Sequence, residues 1–586
     1  MLTIAGLRRD YEAGTQAPAD VIARLFACIE AEGLSPIWIS LADRDEAVAR
    51  ASRVDMSLPL AGVPFAVKDN IDVAGMSTTA ACPSFAYGAA RSATVVRRLL
   101  DAGAILIGKT NMDQFATGLT GMRTPYGECS SVFDPRYISG GSSAGSAVAV
   151  ARGLCAFSLG TDTAGSGRVP AAFNNLVGLK PTRGVLSTTG VVPACRSLDC
   201  VSLFAAGAAD AEAVWRVAAA FDEDDPYARP FDAARGAAPW LGGPFRFGMP
   251  RAADLEFFGD EEAAALYAAA AERLEAIGGV RTRIDFGPFR EAAALLYAGP
   301  WIAERAAAVG AFIDSGATDV HPTVAGIIGG GSRYSATDAF RAAYRLEQLR
   351  RDATKQWDAM DVLLLPTAAT IYTRDAVRRD PVGLNSNLGY YTNFVNLLDL
   401  AAIAIPAGFR ANGLPFGVSL IGPAFSDPAI VALAADVLGE PRDTSASPPG
   451  CVALAVVGAH LTGQPLNHQL TDRGARLMRA TRTAREYRLY ALAGTDPPKP
   501  GLVREADDVG SGVDVEVWAV PEDRFGGFVA AVPSPLSIGN VRLRDGEWAK
   551  GFVCEPIGLT HATDITQFGG WKSYREYRSS TRVPTA

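Results

Sequence analysis

A chain of 586 residues exceeds what one ordinary core organises, and its 48 % hydrophobic and 20 % charged residues describe a well-buried globular protein, not a disordered or fibrous one. Its net charge of −8, with no Lys/Arg stripe interleaved with aromatics, argues against nucleic acid or an anionic membrane surface as partner. The four histidines fall at 321, 460, 468 and 561, so a site built wholly before position 321 has no imidazole as base or metal ligand.

Met1 to Gly14 carries no long apolar segment, and the longest apolar runs, Ala401–Ile405 and Val452–Val457, fall far short of a membrane span. The eight cysteines show no CxxC pair and no His partner at metal spacing. They read as buried apolar residues in a reducing cytoplasm, and neither a metal nor a cofactor is expected.

In chain order, Pro64–Val67 reads as a short apolar strand that delivers Lys68 at its end. Ala93 to Ala102 reads as a helix and Ala104–Ile107 as a buried strand. The run Gly103-Ala-Ile-Leu-Ile-Gly108-Lys109-Thr110 satisfies the phosphate-loop pattern letter for letter. A phosphate loop follows its strand, however, whereas these intervening residues look like the strand itself, and nucleotide binding is not expected.

Next come Ser139-Gly-Gly-Ser142-Ser-Ala-Gly-Ser146, an Ala/Val helix, and Gly160-Thr-Asp-Thr-Ala-Gly-Ser166-Gly-Arg168-Val-Pro170. Their glycines permit tight backbone approach, so both segments suit presenting a hydroxyl and rows of N–H groups to one point. Asp361–Leu365 reads as another buried strand. Alternation of helical and strand patterns predicts an α/β fold with a covered sheet over 1–443. Asp443–Gly450, rich in Ser and with tandem prolines, breaks the pattern, giving a linker at 444–450 and an α+β tail over 451–586. In the tail, Val452–Val457 and Val513–Val520 are predicted strands, Thr471–Ala484 a helix, and Val541 to Phe552 a hairpin across Asp545-Gly546.

Taken with Gly62-Val-Pro-Phe-Ala-Val-Lys68-Asp-Asn70, Gly108-Lys-Thr-Asn-Met-Asp-Gln-Phe115 and Gly178-Leu-Lys-Pro-Thr182, the two Gly/Ser segments resemble the amidase signature family in order and spacing. The resemblance implies a mixed central sheet covered by helices, with Ser166 as nucleophile, Ser142 after a cis peptide as bridging serine, and Lys68 as base. It also implies an oxyanion hole from the N–H groups of Thr163, Ala164 and Gly165. The chemistry is coherent, since a serine hydroxyl needs an adjacent base and a buried lysine loses its proton readily. Asp162 and Arg168 read as supports of the loop.

The stretch Leu295-Leu-Tyr297-Ala-Gly-Pro-Trp-Ile-Ala-Glu-Arg305, and the loop Thr117-Gly118-Leu-Thr-Gly-Met-Arg-Thr-Pro-Tyr-Gly127, resemble allophanate hydrolases. The resemblance implies that Tyr297 and Arg305 hold the carboxylate of a small anionic amide, allophanate, for which a guanidinium fork is the natural ligand, and that Gly118 also binds the substrate. The tail, through Gly463-Gln-Pro-Leu-Asn-His468-Gln-Leu470 and Thr566-Gln-Phe-Gly-Gly-Trp571, is similar to their C-terminal domain, whose fold is similar to γ-glutamylcyclotransferases. That domain is linked to decarboxylation of the carboxylated intermediate, and His468 is the tail residue suited to proton handling. A homodimer and a functional coupling to a urea carboxylase are implied by the same resemblance. Two alternatives stand beside it: an amidase for another small amide, including the ammonia-supplying component of tRNA transamidation, and a non-catalytic scaffold.

Overall fold

The computed structural model describes residues 2–33, 35–231, 244–440 and 450–580, so the predicted linker lies outside the described residues except for Gly450. The chain divides into two compact units, one of residues 1–237 and 242–441 and one of 238–241 and 442–586. Among the described residues no helix is long and apolar enough to cross a membrane.

The strands of the first unit are β1 (Trp38–Leu41), β2 (Pro64–Lys68), β3 (Ser77–Thr78), β4 (Tyr87–Gly88), β5 (Ile105–Thr110), β6 (Phe157–Asp162), β7 (Val177–Lys180), β8 (Cys200–Ala205), β9 (Phe245–Pro250), β10 (Gly279–Ile284), β11 (Val362–Pro366), β12 (Leu400–Phe409) and β13 (Pro415–Pro423). Apart from the β3–β4 ribbon they form one mixed sheet of 11 strands in the order β1-β5-β2-β6-β8-β7-β12-β13-β11-β9-β10. β2 runs parallel to both β5 and β6, whereas β6, β8, β7, β12 and β13 alternate antiparallel. This is the mixed sheet that the family resemblance implies, covered as the alternating pattern predicts.

Patterning explains the burial. β12 reads Leu-Ala-Ala-Ile-Ala-Ile without polar alternation, which suits a strand covered on both faces. β5 takes in Ile105 to Thr110, so the phosphate-loop pattern is a buried strand paired to β1 and β2. The helix Ala144–Ala151, built from Ala, Gly, Ser and Val, lies on β2, β5 and β6, where larger side chains would hold it away. Helix Gly287–Ala298 and helix Ala336–Thr354 pack on a second face of the core, in a cluster that also takes in Ala164, Leu198 and Phe394.

The second unit has its own core around Leu454, Val517, Trp518 and Phe552. Its strands are β14 (Cys451–Val456), β15 (Arg476–Arg482), β16 (Tyr487–Ala491), β17 (Pro500–Arg504), β18 (Asp514–Pro521), β19 (Leu536–Arg542), β20 (Trp548–Cys554) and β21 (Thr563–Asp564). Five make a sheet in the order β15-β18-β14-β20-β19, and β17-β16-β21 make a smaller one. The helix predicted over Thr471–Ala484 is not formed: a short helix covers His468–Thr471 and the chain then enters β15. Arg, Leu, Met and Ala favour a helix locally, but pairing with β18 and burial of Met478 in the core decide otherwise.

Candidate active site

β2 and β6 end side by side and bring Lys68 to its hydrogen-bond partners. Lys68 is 0 % exposed, and its Nζ lies 2.8 Å from Ser142 Oγ and 2.8 Å from Thr161 Oγ1. Burial lowers its pKa to about 7, against the raising influence of Asp113, Asp162 and Asp199; Arg305 lowers it further. Lys68 forms no ion pair among the described residues. Buried Lys109, by contrast, pairs with Asp69 at 3.2 Å and donates to Thr78 and to the Ser77 carbonyl. Without an ion-pair partner, the buried Lys68 has no bonded carboxylate to hold its proton.

The peptide between Gly141 and Ser142 is cis. Ser142 is tied down through its carbonyl, which accepts from Asp113 N–H at 3.0 Å, and Ser143 Oγ donates to the Thr161 carbonyl at 3.2 Å. Asn174 Nδ2 donates to the carbonyls of Ser139 and Pro170, both at 2.8 Å, and so clasps the segment carrying Ser142 to the one following Ser166.

Ser166 sits on the turn between β6 and the helix Val169–Phe173. It is 3 % exposed, and its hydroxyl has no hydrogen-bond partner among the described residues. The turn is held from below by Asp162, whose carboxylate accepts from Gly165 N–H at 2.8 Å, Gly167 N–H at 3.0 Å and, bidentately, from the Arg168 guanidinium at 2.9 and 3.0 Å. The two residues flanking Ser166 are thus fixed by one buried ion pair. Gly165 has φ +136, and a Cβ there would meet Thr392 Oγ1 at 2.4 Å, so the turn admits only glycine.

This bracing bears on the predicted oxyanion donors. The Gly165 N–H already points to Asp162, whereas the N–H groups of Thr163 and Ala164 have no acceptor among the described residues. Thr163 Oγ1 donates to Asp199 at 2.5 Å; the same buried carboxylate accepts from Ala194 N–H at 2.8 Å and Cys195 N–H at 3.1 Å, and burial pushes its pKa up to about 6.

Helix Trp301–Asp314 buries Ile302, Arg305 and Val309, which share one face at helical spacing. Phe312 of that helix packs against Phe115, seating the helix beside the loop from Phe115 to Arg123. Arg305 is 1 % exposed. Its Nη1 donates to Thr117 Oγ1 at 3.1 Å, its Nη2 to Tyr297 Oη at 3.4 Å, and its carbon lies 5.4 Å from the centre of the Tyr297 ring. Nε has no partner, and Arg305 forms no ion pair among the described residues. Asp199 and Glu304 are near enough to favour its charge, but neither forms an ion pair with it, and a buried guanidinium with a free N–H is a ready anion site. Gly118, with φ +155, follows Thr117 directly, and a Cβ there would meet Asp113 Oδ2 at 2.6 Å.

His468 is exposed, with Nδ1 2.9 Å from the Pro465 carbonyl. Sequence patterning does not single out His460, which lines a cavity of about 260 Å³ with Lys499, Gln469, Phe528 and Phe552. Its ring stacks on Phe552 at 4.9 Å, and its Nε2 lies 3.0 Å from Gln469 Oε1. Nor does patterning single out Thr161, Asp199, Asn174 or Arg123. Only Arg123 falls within a stretch that carries the resemblance to allophanate hydrolases; the others gain their roles through contacts across the chain.

The amidase family model matches residues 30–431, and the model of the allophanate hydrolase C-terminal domain matches residues 452–576. The chain is 45 % identical over 576 residues to the urea amidolyase of Lachancea kluyveri, covering 92 % of this chain and 31 % of that protein, so it spans about a third of the length of this relative. It is also 35 % identical to a component of the glutamyl-tRNA(Gln) amidotransferase of Synechococcus sp. (strain WH7803), over 66 % of this chain and 84 % of that one. A solved structure of Kluyveromyces lactis allophanate hydrolase superposes with a TM-score of 0.82 at 42 % identity, covering 98 % of this chain and 99 % of that one. The chain therefore belongs to the amidase family, as an amidohydrolase with the allophanate hydrolase arrangement of an amidase domain followed by an allophanate hydrolase C-terminal domain.

Proposed function

We propose that this chain hydrolyses allophanate (urea-1-carboxylate) through a Ser166–Ser142–Lys68 relay. The observation that carries the substrate reading is the buried Arg305 beside the partly buried Tyr297, cationic and without an ion-pair partner among the described residues, in the same unit as the base and the free serine. With the substrate carboxylate on Arg305, Ser166 Oγ attacks the terminal amide carbon. Its proton passes to Ser142 Oγ, whose own proton moves to the neutral Lys68 amine. The oxyanion forms opposite Thr163 and Ala164 N–H. The proton returns along the same path to the leaving nitrogen, and ammonia departs from the acyl-enzyme. Water, activated by the same relay, then releases a nitrogen carrying two carboxylates. Loss of carbon dioxide from that species leads to the second ammonia.

The second unit serves that last step in this reading, and its cavity around His460 offers a more enclosed setting than the exposed His468. The urea amidolyase name of the long relative supports a partnership with a urea carboxylase, which would supply the substrate. A homodimer acting in the cytoplasm completes the reading.

Ammonia release from allophanate, compared with acetamide, biuret and glutamine and with Ser166→Ala as the blank, tests the assignment. Preference for glutamine would favour the activity suggested by the amidotransferase relative. Turnover of allophanate by Ser166→Ala would refute the relay.

A further inference from the structure

Arg305 does not stand alone. Arg123 is 3 % exposed; its Nη1 donates to the Thr117 carbonyl at 2.9 Å, its Nη2 to the Pro381 carbonyl at 2.6 Å, and its own N–H to Asp113 Oδ1 at 2.8 Å. It forms no ion pair among the described residues. Thr117 is therefore gripped from both sides: Arg123 holds its carbonyl and Arg305 its hydroxyl. Asp113, which takes the Arg123 N–H, gives its own N–H to the carbonyl of Ser142. One short loop thus joins the anion site to the bridging serine, with Arg123 as its brace.

We infer that Arg123 is a specificity-determining positioning residue: it fixes Thr117, and through it Arg305, and adds a second buried positive charge that selects an amide bearing a carboxylate over its neutral counterpart. The inference rests on allophanate, or an amide of the same charge, being the substrate. The physical grounds are direct. The two desolvated guanidinium groups meeting at one threonine repel each other, Asp113 and Asp199 offset this without pairing to either, and a bound carboxylate is therefore favoured. Arginine also suits the brace better than lysine, because its fork reaches the Thr117 and Pro381 carbonyls at once, which a single ammonium cannot do with the same geometry.

The test compares allophanate with biuret, in which an amide replaces the carboxylate, on the full chain and its Arg123→Met and Arg123→Lys variants. An uncharged fluorophosphonate reports independently on Ser166. Arg123→Met is expected to raise KM for allophanate at least about 10-fold, with a smaller change in kcat, and to shrink the allophanate-to-biuret ratio of kcat/KM by a similar factor. Arg123→Lys should recover part of that ratio, and labelling of Ser166 should hold in both. An unchanged KM for allophanate in Arg123→Met overturns the inference. So do equal losses toward allophanate, biuret and the probe in folded Arg123→Lys, which would mark a purely structural brace. If the unsubstituted chain releases no ammonia from allophanate, the substrate assignment falls first and the inference with it. If that chain is active and Arg123→Met matches it, only the inference falls.

Discussion

In the proposed relay Lys68 acts as the base because burial works against its charge. An ammonium withdrawn from water without a counter-ion loses its proton more easily, and here the pKa is drawn down to about 7. With the neutral amine as the proposed base, acylation of Ser166 should increase as pH rises through about 7 and level off above it. Stopped-flow ammonia release across that range measures this. Lys68→Arg keeps a cation but cannot lose its proton, and a loss of about 10²–10⁴ in kcat is expected. Arg305→Gln removes the charge proposed to face the substrate carboxylate; KM for allophanate should increase by about 10- to 100-fold, while labelling of Ser166 by an uncharged fluorophosphonate persists. Thr163→Val cuts the bond to Asp199 that aims the turn, so kcat should fall with little change in KM, as steady-state kinetics will show.

Among the elements, the turn from β6 into Val169–Phe173 depends on a buried ion pair. Arg168→Met would strand the Asp162 carboxylate with 0 % of either side chain exposed in the parent, at a cost of about 3–5 kcal/mol, and thermal unfolding should report the drop as a lower Tm. Much of this scale was legible in sequence. β2 ending in Lys68, β5 in place of a phosphate loop, and the hairpin of β19 and β20 all follow from apolar runs and turn residues. What was not legible depended on partners far along the chain. The segment Arg476–Arg482 is a strand because β18 lies beside it, which no local propensity encodes. Asp199 matters because Thr163 reaches it, and Arg123 because Pro381 and Thr117 do. The contact of Lys68 with Ser142 was legible because these residue types recur at this spacing, whereas the Gly165 N–H, expected as an oxyanion donor, points to Asp162 through a side-chain contact that spacing cannot reveal.

For the whole molecule, each unit has its own sheet and core. A chain ending before Cys451 should therefore still release the first ammonia from allophanate, with the second lagging behind the intact chain; a time course of ammonia release follows both phases. The account as a whole turns on Lys68 drawing a proton through Ser142 from Ser166. Single-turnover ammonia release from allophanate at pH 8 by Lys68→Ala, beside the unsubstituted chain, tests this most directly. The account predicts a first-phase rate lowered by at least about 10²-fold in a folded protein. A first phase that matches the unsubstituted chain would contradict it.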